Sequence, residues 1–551
     1  MKLKGLSSRP YNITFHTHTV SGIVISFALY VIFFAGAFTL FKDEFYQWEN
    51  PAARQSRAKA VDYDEILGKL KKLNPSFDLS EDITIRTETV EKPLVQVYGH
   101  LITPKGKPEQ HYYTTYYPQT GTFSQEEKTT VGETLYRLHF FDQIPVVGRY
   151  LSGFVALFFA FAVVTGLMIH WQNIFTKFNG FSLKGSLKNI WTSSHTVFGL
   201  LELPFQLMYA ITGAYYMLSF LVLLPVVVVF FGGNQQKALQ VILPDRVLTT
   251  SENAPLTTKN LKITNLLDHL RDQHKDLELN YLQIKHYDRQ DGMLSAALEN
   301  SKTFAGSGSI VFTLRDGSIL SDNLPGKKGY AQSVLPGIAR LHFATFGGLT
   351  LKIVYFFLTF VTCFVIISGV LLWKEARNKK SYTDRQKRFH NRVTMSYLAI
   401  SFSLFPAVAI LFIAELLVPG IEKHVFWVRT IFFLSWLALT IAGLFARTEA
   451  GSTRLYLLLG GLCSVMVPIT NGIVTNDWFW ISWLKGNYYV AGTDLFWFAS
   501  GILSLSVVAL MNSKSKESMK SAVRNTGSYL TSPADPVISL RSEGFLKHRN
   551  K

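Results

Sequence analysis

Eight stretches of this 551-residue sequence, at about 19–41, 148–170, 196–231, 350–373, 394–417, 427–446, 455–474 and 493–511, are apolar over the length of a bilayer. A single apolar run of 18 or more residues is stable in lipid as a helix, because only a helix pairs all of its own backbone polar groups. The fold class that follows is a polytopic α-helical membrane protein with about eight transmembrane helices. The first run is too long for a cleavable leader and lacks a small-residue cleavage site, so it reads as a retained anchor.

The net charge of +17 is not spread evenly. Segments before span one, between spans two and three, four and five, six and seven, and after span eight hold 24 Lys and Arg against 6 Asp and Glu. By the positive-inside rule these segments, and both termini, face the cytoplasm. Basic clusters such as KEARNKK (374–380) and RQKR (385–388) flank spans, where anionic lipid headgroups are their partner; this excludes a nucleic-acid reading. Both cysteines, Cys363 and Cys463, fall inside spans, so no disulfide framework and no CxxC redox site is present.

Two long segments then lie outside. Residues 42–147 read as a helix (Tyr63 to Leu73), strands around 82–90, 93–102 and 109–117, and a turn PQTG at 118–121. Residues 232–349 repeat that order, with a helix near Thr264 to His274 and strands ending in VFTLRDGSIL (311–320), where Asp316-Gly317 marks a hairpin. Each is expected to be a small α+β domain. The chain divides into 1–41 (N-terminus and first span), 42–147, 148–231 (spans two and three), 232–349, 350–376 (span four), 377–512 (four-helix extension) and 513–551 (basic tail).

Within this plan a motif recurs. HTVSG at 18–22 matches HTVFG at 195–199, and each histidine is followed 18 residues later by a glycine, Gly36 and Gly213. Eighteen residues make five helical turns, so each histidine and its glycine share a face. RLHF at 137–140 recurs at 340–343, and from His139 to Gly166, as from His342 to Gly369, is 27 residues. Such fixed offsets imply internal duplication of a helix, soluble segment, helix module.

The runs TGLMIHWQNIFTKF (165–178), SSHTVFGLLELPFQLMYAITG (193–213), RLHFATFGG (340–348) and SGVLLW (368–373) resemble the PepSY-associated transmembrane family over residues 10 to about 376. The resemblance implies that the two outer segments are PepSY domains, periplasmic in a protein of the bacterial inner membrane. It also implies an activity, since members include ferrisiderophore reductases that carry b-type haem.

A physical case for haem stands beside that resemblance. An ionisable residue at a span is a functional hypothesis by default, and neutral imidazole is a common axial ligand for iron. Duplication makes His18 and His195 one symmetric pair near the cytoplasmic face, and His139 and His342 a second pair at the outer face, which suits two bis-histidine haems. Gly22 and Gly199, four residues after their histidines, would leave room beside one haem, and Gly36 and Gly213 would keep the far end of that face open. Close helix packing explains the same glycines equally well. His170 is a further candidate, either displacing His18 or His195 or meeting a haem propionate, but its repeat partner is Trp373. His16 lies about 200° around the helix from His18 and has no repeat partner. Glu202, seven residues after His195, is placed to hydrogen-bond a ligand or carry a proton, and Glu415 is expected to pair with Arg429.

No GxGxxG follows a strand, no Walker sequence occurs, and no cytoplasmic segment is long enough for a flavin or nicotinamide domain. The expected donor is therefore a quinol or a cytoplasmic flavoprotein. The expected function is transmembrane electron transfer through two haems b to a periplasmic acceptor, which the family resemblance implies is a ferric siderophore. Two other readings stay open: a non-enzymatic PepSY scaffold or sensor, and a secondary transporter for iron chelates. Spans five to eight carry no assigned motif; the aromatic stretch NDWFWISWLKGNYY (476–489) reads as a membrane-interface belt.

Overall fold

The computed structural model describes residues 6–529 apart from 55–60, 105, 125–128, 252, 301–302, 305, 419, 421–422 and 447, so the end of the basic tail lies outside the described residues. The first part of the chain runs α1 (Ser8–Thr39), α2 (Phe45–Glu49), α3 (Tyr63–Leu73), β1 (Ile83–Arg86), β2 (Val95–Leu101), β3 (Gln110–Tyr117), β4 (Thr122–Ser124), α4 (Val131–His139), α5 (Val147–His170) and α6 (Ile174–Phe178). The second runs α7 (Leu187–Leu201), α8 (Leu203–Phe231), α9 (Gln235–Ile242), α10 (Ile263–Gln273), β5 (Glu278–Lys285), β6 (Met293–Glu299), β7 (Ser307–Thr313), β8 (Ile319–Asn323), α11 (Tyr330–Phe343) and α12 (Gly348–Arg377). The remainder is helical: α13 (Asp384–Phe402), α14 (Leu404–Leu417), α15 (His424–Leu444), α16 (Glu449–Thr475), α17 (Phe479–Leu484) and α18 (Tyr488–Tyr529).

Segments 42–147 and 232–349 do not form two separate sheets. Their strands make one antiparallel sheet in the order β4-β3-β2-β1-β5-β6-β7-β8, joined where Ile83 pairs with Ile284 and Arg86 with Tyr281. Each four-stranded half alone would leave β1 or β5 as an unpaired edge, and edge-to-edge pairing removes both. Ile66, Leu67 and Leu70 of α3 and Ile263, Leu267 and Leu270 of α10 are buried in one core with Ile85, Val97, Leu282 and Ile284 of the sheet. Each such side chain stabilises the fold by roughly 1.5–3 kcal/mol. Asp64 of α3 adds a tie across the halves by accepting from the backbone N–H groups of Ile263 and Thr264 at 3.1 and 3.0 Å. The turn at 118–121 leads into the short β4, and Gly317, at φ +73°, turns β7 into β8.

Among the described residues, seven helices are long and apolar enough to cross a membrane: α1, Val147–Phe178, α12, Asp384–Leu417, α15, α16 and Tyr488–Ser513. The expected span at 196–231 is instead a broken pair, α7 and α8, bent by 70°. Pro204 causes the break: it sits in the first turn of α8, has no N–H to donate, and its ring would clash with the carbonyl four residues back in a continuous helix. Glu202 occupies the joint.

Helices α1, α5, α7, α8 and α12 pack as one bundle, with α1 against α5 and α12, α5 against α8, and α7 against α12. The extension is fastened to it by a polar clamp. Buried Arg54, just after α2, donates to Asn471 at 2.9 Å, Thr475 at 2.9 Å, Asp477 at 3.2 Å and the carbonyls of Gln47 and Trp48. Asp494, on α18, accepts from the Trp48 indole at 2.8 Å and from Asn471 at 2.7 Å. A buried guanidinium is tolerable only with such a full set of partners. Glu415 takes His424 as its partner at 3.1 Å, rather than Arg429, which donates to Thr134 of α4. His424 starts α15 nine residues on, so this pair closes locally.

Candidate functional site

The first histidine pair forms where α1 and α7 meet. The rings of His18 and His195 meet edge to face, with centroids 6.3 Å apart and planes at 61°. His18 Nδ1 lies 2.9 Å from the carbonyl of Ala162 on α5, and His195 Nδ1 lies 2.9 Å from that of Val365 on α12. Thr165 stands 3.3 Å from the first ring and Ser368 3.5 Å from the second. A carbonyl only accepts, so each Nδ1 carries the proton and each Nε2 keeps its lone pair.

Glycine makes this approach possible. A Cβ at Gly166 would lie 3.1 Å from His18 Cε1, and one at Gly369 would lie 3.0 Å from His195 Cε1. Both glycines are visible in the sequence as the 27-residue offsets, yet reading them as seats for the imidazoles needs the helix pairing. Gly22, by contrast, has no atom within 4 Å of where its Cβ would be, and Gly199 only Val365 at 3.8 Å. Neither of these two glycines therefore seats an imidazole.

The second pair sits at the sheet side of the bundle. His139 ends α4, His342 lies near the end of α11, and their centroids are 6.0 Å apart with planes at 52°. His139 Nδ1 lies 2.7 Å from the carbonyl of Ile32. His342 Nδ1 lies 2.9 Å from Thr212 Oγ1, whose own proton goes to the carbonyl of Met208 at 2.8 Å, so His342 is also protonated at Nδ1. Among the described residues none of the four Nε2 atoms has a hydrogen-bond partner. The rings of Tyr209 and Tyr216 wall His342, each with its centroid at 5.1 Å. Tyr136, Phe159 and Phe343 help line an open cleft of about 110 Å³ that contains both histidines.

Gly36 and Gly213 line this cleft but differ. A Cβ at Gly36 would lie 2.6 Å from His139 Nδ1, so Gly36 seats that ring rather than keeping a free face. Gly213 meets Ala156 of α5 at 3.4 Å, which is helix packing. From His18 to Gly36 the rise along α1 is about 27 Å, which puts the two pairs at opposite ends of the bundle.

His170 stands beside the first pair, its Nε2 3.5 Å from Thr196 Oγ1, next to His195 in sequence. Trp373, at the matching place on α12, packs on His390 of α13 with centroids 5.1 Å apart. His16 is exposed and touches Phe15.

The position of His139 depends on Glu49. The Glu49 carboxylate accepts from the backbone N–H groups of Thr130, Val131 and Gly132 at 2.5, 2.9 and 2.9 Å, capping the start of α4. A carboxylate there meets both the orphan donors and the positive end of the helix dipole. Burial and the nearby Glu415 push the Glu49 carboxyl up to about 8 against the lowering pull of these three N–H groups. Glu49→Ala is therefore expected to cost about 1–3 kcal/mol by leaving buried backbone donors unpaired, read as a lower thermal unfolding midpoint, with Glu49→Gln falling in between. Equal midpoints for all three proteins would remove the capping role.

Each pair brings two unprotonated imidazole nitrogens into one place, and among the described residues no group of three or more His, Cys, Asp or Glu is gathered that could hold a metal ion by itself. No curated protein matches the chain. Residues 15–376, which contain all four paired histidines, match the PepSY-associated TM region, and the chain belongs to that family of membrane proteins.

Proposed function

We propose that each histidine pair holds one haem b and that the protein carries electrons across the bacterial inner membrane, from a quinol or cytoplasmic flavoprotein to a ferric siderophore outside. The observation that carries this reading is the ring spacing of 6.3 and 6.0 Å. Two imidazole nitrogens that shared one metal at about 2 Å each would allow ring centres roughly 6 Å apart. The residues therefore fit the group: His18 and His195 would hold one haem, His139 and His342 the other.

When bound, haem supplies a one-electron ferric/ferrous couple. The carbonyls of Ala162, Val365 and Ile32 and the hydroxyl of Thr212 fix the tautomer and aim of each imidazole, as partners of metal-bound histidines do. Gly22 and Gly199 leave room for a flat ring, and the rings of Tyr209 and Tyr216 flank His342. Two sites about 27 Å apart along α1 divide a hydrocarbon thickness of roughly 30 Å. The basic segments favour cytoplasmic termini, which would make the sheet periplasmic and its two halves PepSY-like domains of a duplicated chain. The matched partners of His18 and His195 support that duplication. Reduction at the sheet side would release iron because ferrous ion is held less tightly by hard oxygen ligands.

Vesicles containing the protein, loaded with a reduced quinol analogue and supplied outside with a ferric siderophore, should yield external ferrous iron, trapped by a colorimetric chelator. Siderophore uptake without reduction would favour the transporter reading, which the broken span at Glu202 also suits.

A further inference from the structure

Glu202 has no role in either histidine pair, yet it is 1 % exposed inside the bundle. Its Oε2 accepts from Thr362 Oγ1 at 2.8 Å and lies 3.3 Å from Gln206 Nε2, while Oε1 is buried with no partner. The side chains facing it, Thr362 and Cys363 of α12 and Gln206 of α8, bring no positive charge. A carboxylate so placed has no cation beside it to hold its charge, so Oε1 is free to take up a proton when a further negative charge enters the bundle.

The acid is not a requirement of the fold. At the matching places in α1 stand Ile25 and Phe27, where Glu202 and Pro204 stand here, and α1 runs unbroken. Its surroundings connect both histidine pairs. Along α12, Val365 holds the His195 ring, Thr362 one turn away holds Glu202, and Thr359 one turn further lines the cleft of His139 and His342. The break between α7 and α8 interrupts the backbone ladder at the same level.

We propose that Glu202 is a redox-linked proton site. As one electron from the quinol or flavoprotein enters at the His18–His195 pair, the carboxylate takes one proton from water of the sheet-side cleft, forming an O–H bond at Oε1. As that electron leaves for the ferric acceptor, the O–H bond breaks and the proton returns to water. One charge of each sign enters and leaves together, which keeps the net charge of the bilayer core constant. The proposal rests on the haem reading above.

The test is a spectroscopic redox titration of the full-length protein in detergent at several pH values. In the wild type, the midpoint potential of one haem should fall as pH rises, towards a tenfold change per pH unit, or about 59 mV for one electron. Glu202→Gln, which keeps the contacts with Thr362 and Gln206, should retain both haems and lose that slope; Glu202→Asp should keep a slope displaced along the pH axis. A flat wild-type profile, the same slope in Glu202→Gln, or no displacement in Glu202→Asp would overturn the proposal. Wild-type protein lacking haem bands before any titration would instead remove the functional reading on which it rests.

Discussion

Replacing His18 by alanine should remove one of two haems, and replacing His195 should remove the same one. The two rings lie 6.3 Å apart on α1 and α7, and each is held by its own backbone carbonyl, so neither substitution disturbs the other ligand. His139→Ala and His342→Ala should likewise each remove the second haem and spare the first. Haem per chain falls from about two to about one in all four variants, and the double variant His18→Ala/His139→Ala should be colourless. His170→Ala serves as the control: its ring bonds Thr196 outside the pair, so both haems should remain. Loss of both haems from a single substitution, with the fold intact, would contradict two independent sites.

Gly36→Val should have an effect of similar size by a different route. Even the first carbon of a side chain would lie 2.6 Å from His139 Nδ1, where that ring is already tied to Ile32 at 2.7 Å. Either the ring turns away and its ligand position is lost, or α1 and α4 separate; such overpacking costs typically 1–3 kcal/mol. The sheet-side haem should disappear from the reduced spectrum while the other stays. Gly22→Ala is the contrast, since nothing lies within 4 Å of the new carbon. Its fold should be unaffected, and any change in the spectrum would belong to the His18–His195 site. A Gly36→Val protein with two unaltered haems would show that the seat beneath His139 is not needed.

How much of this was legible in the sequence depends on the range of each interaction. The helix Tyr63–Leu73 is found where expected because its signals are local: Asp62 caps it, accepting from the Glu65 N–H at 3.0 Å, and its apolar face repeats with helical period. The Asp316-Gly317 hairpin is local in the same way. The joint between β1 and β5 is not, because it pairs segments about two hundred residues apart and either strand alone reads as an ordinary edge. The break at Glu202 was available from Pro204, but the apolar run around it is long enough to pass as one span.

At the candidate site, the repeated motifs single out His18, His195, His139 and His342, and the rings meet in those two pairs. The partners at Nδ1 were hidden. Ala162, Val365 and Ile32 contribute backbone carbonyls, which no side-chain pattern reveals, and Thr212 has no histidine partner in the other half. Gly36 was read as open space, whereas helix α4 brings a ring onto it. The Arg54 clamp joins α2 to residues more than four hundred positions later, and it gives the four-helix extension a bracing role that no motif in those spans announces.

The most direct test of the central claim is the visible spectrum of the protein purified in detergent after expression with ample haem, before and after dithionite, with a pyridine haemochrome count. Two bis-histidine haems should give a sharp reduced α-band and about two haems per chain. A colourless, folded protein would contradict it.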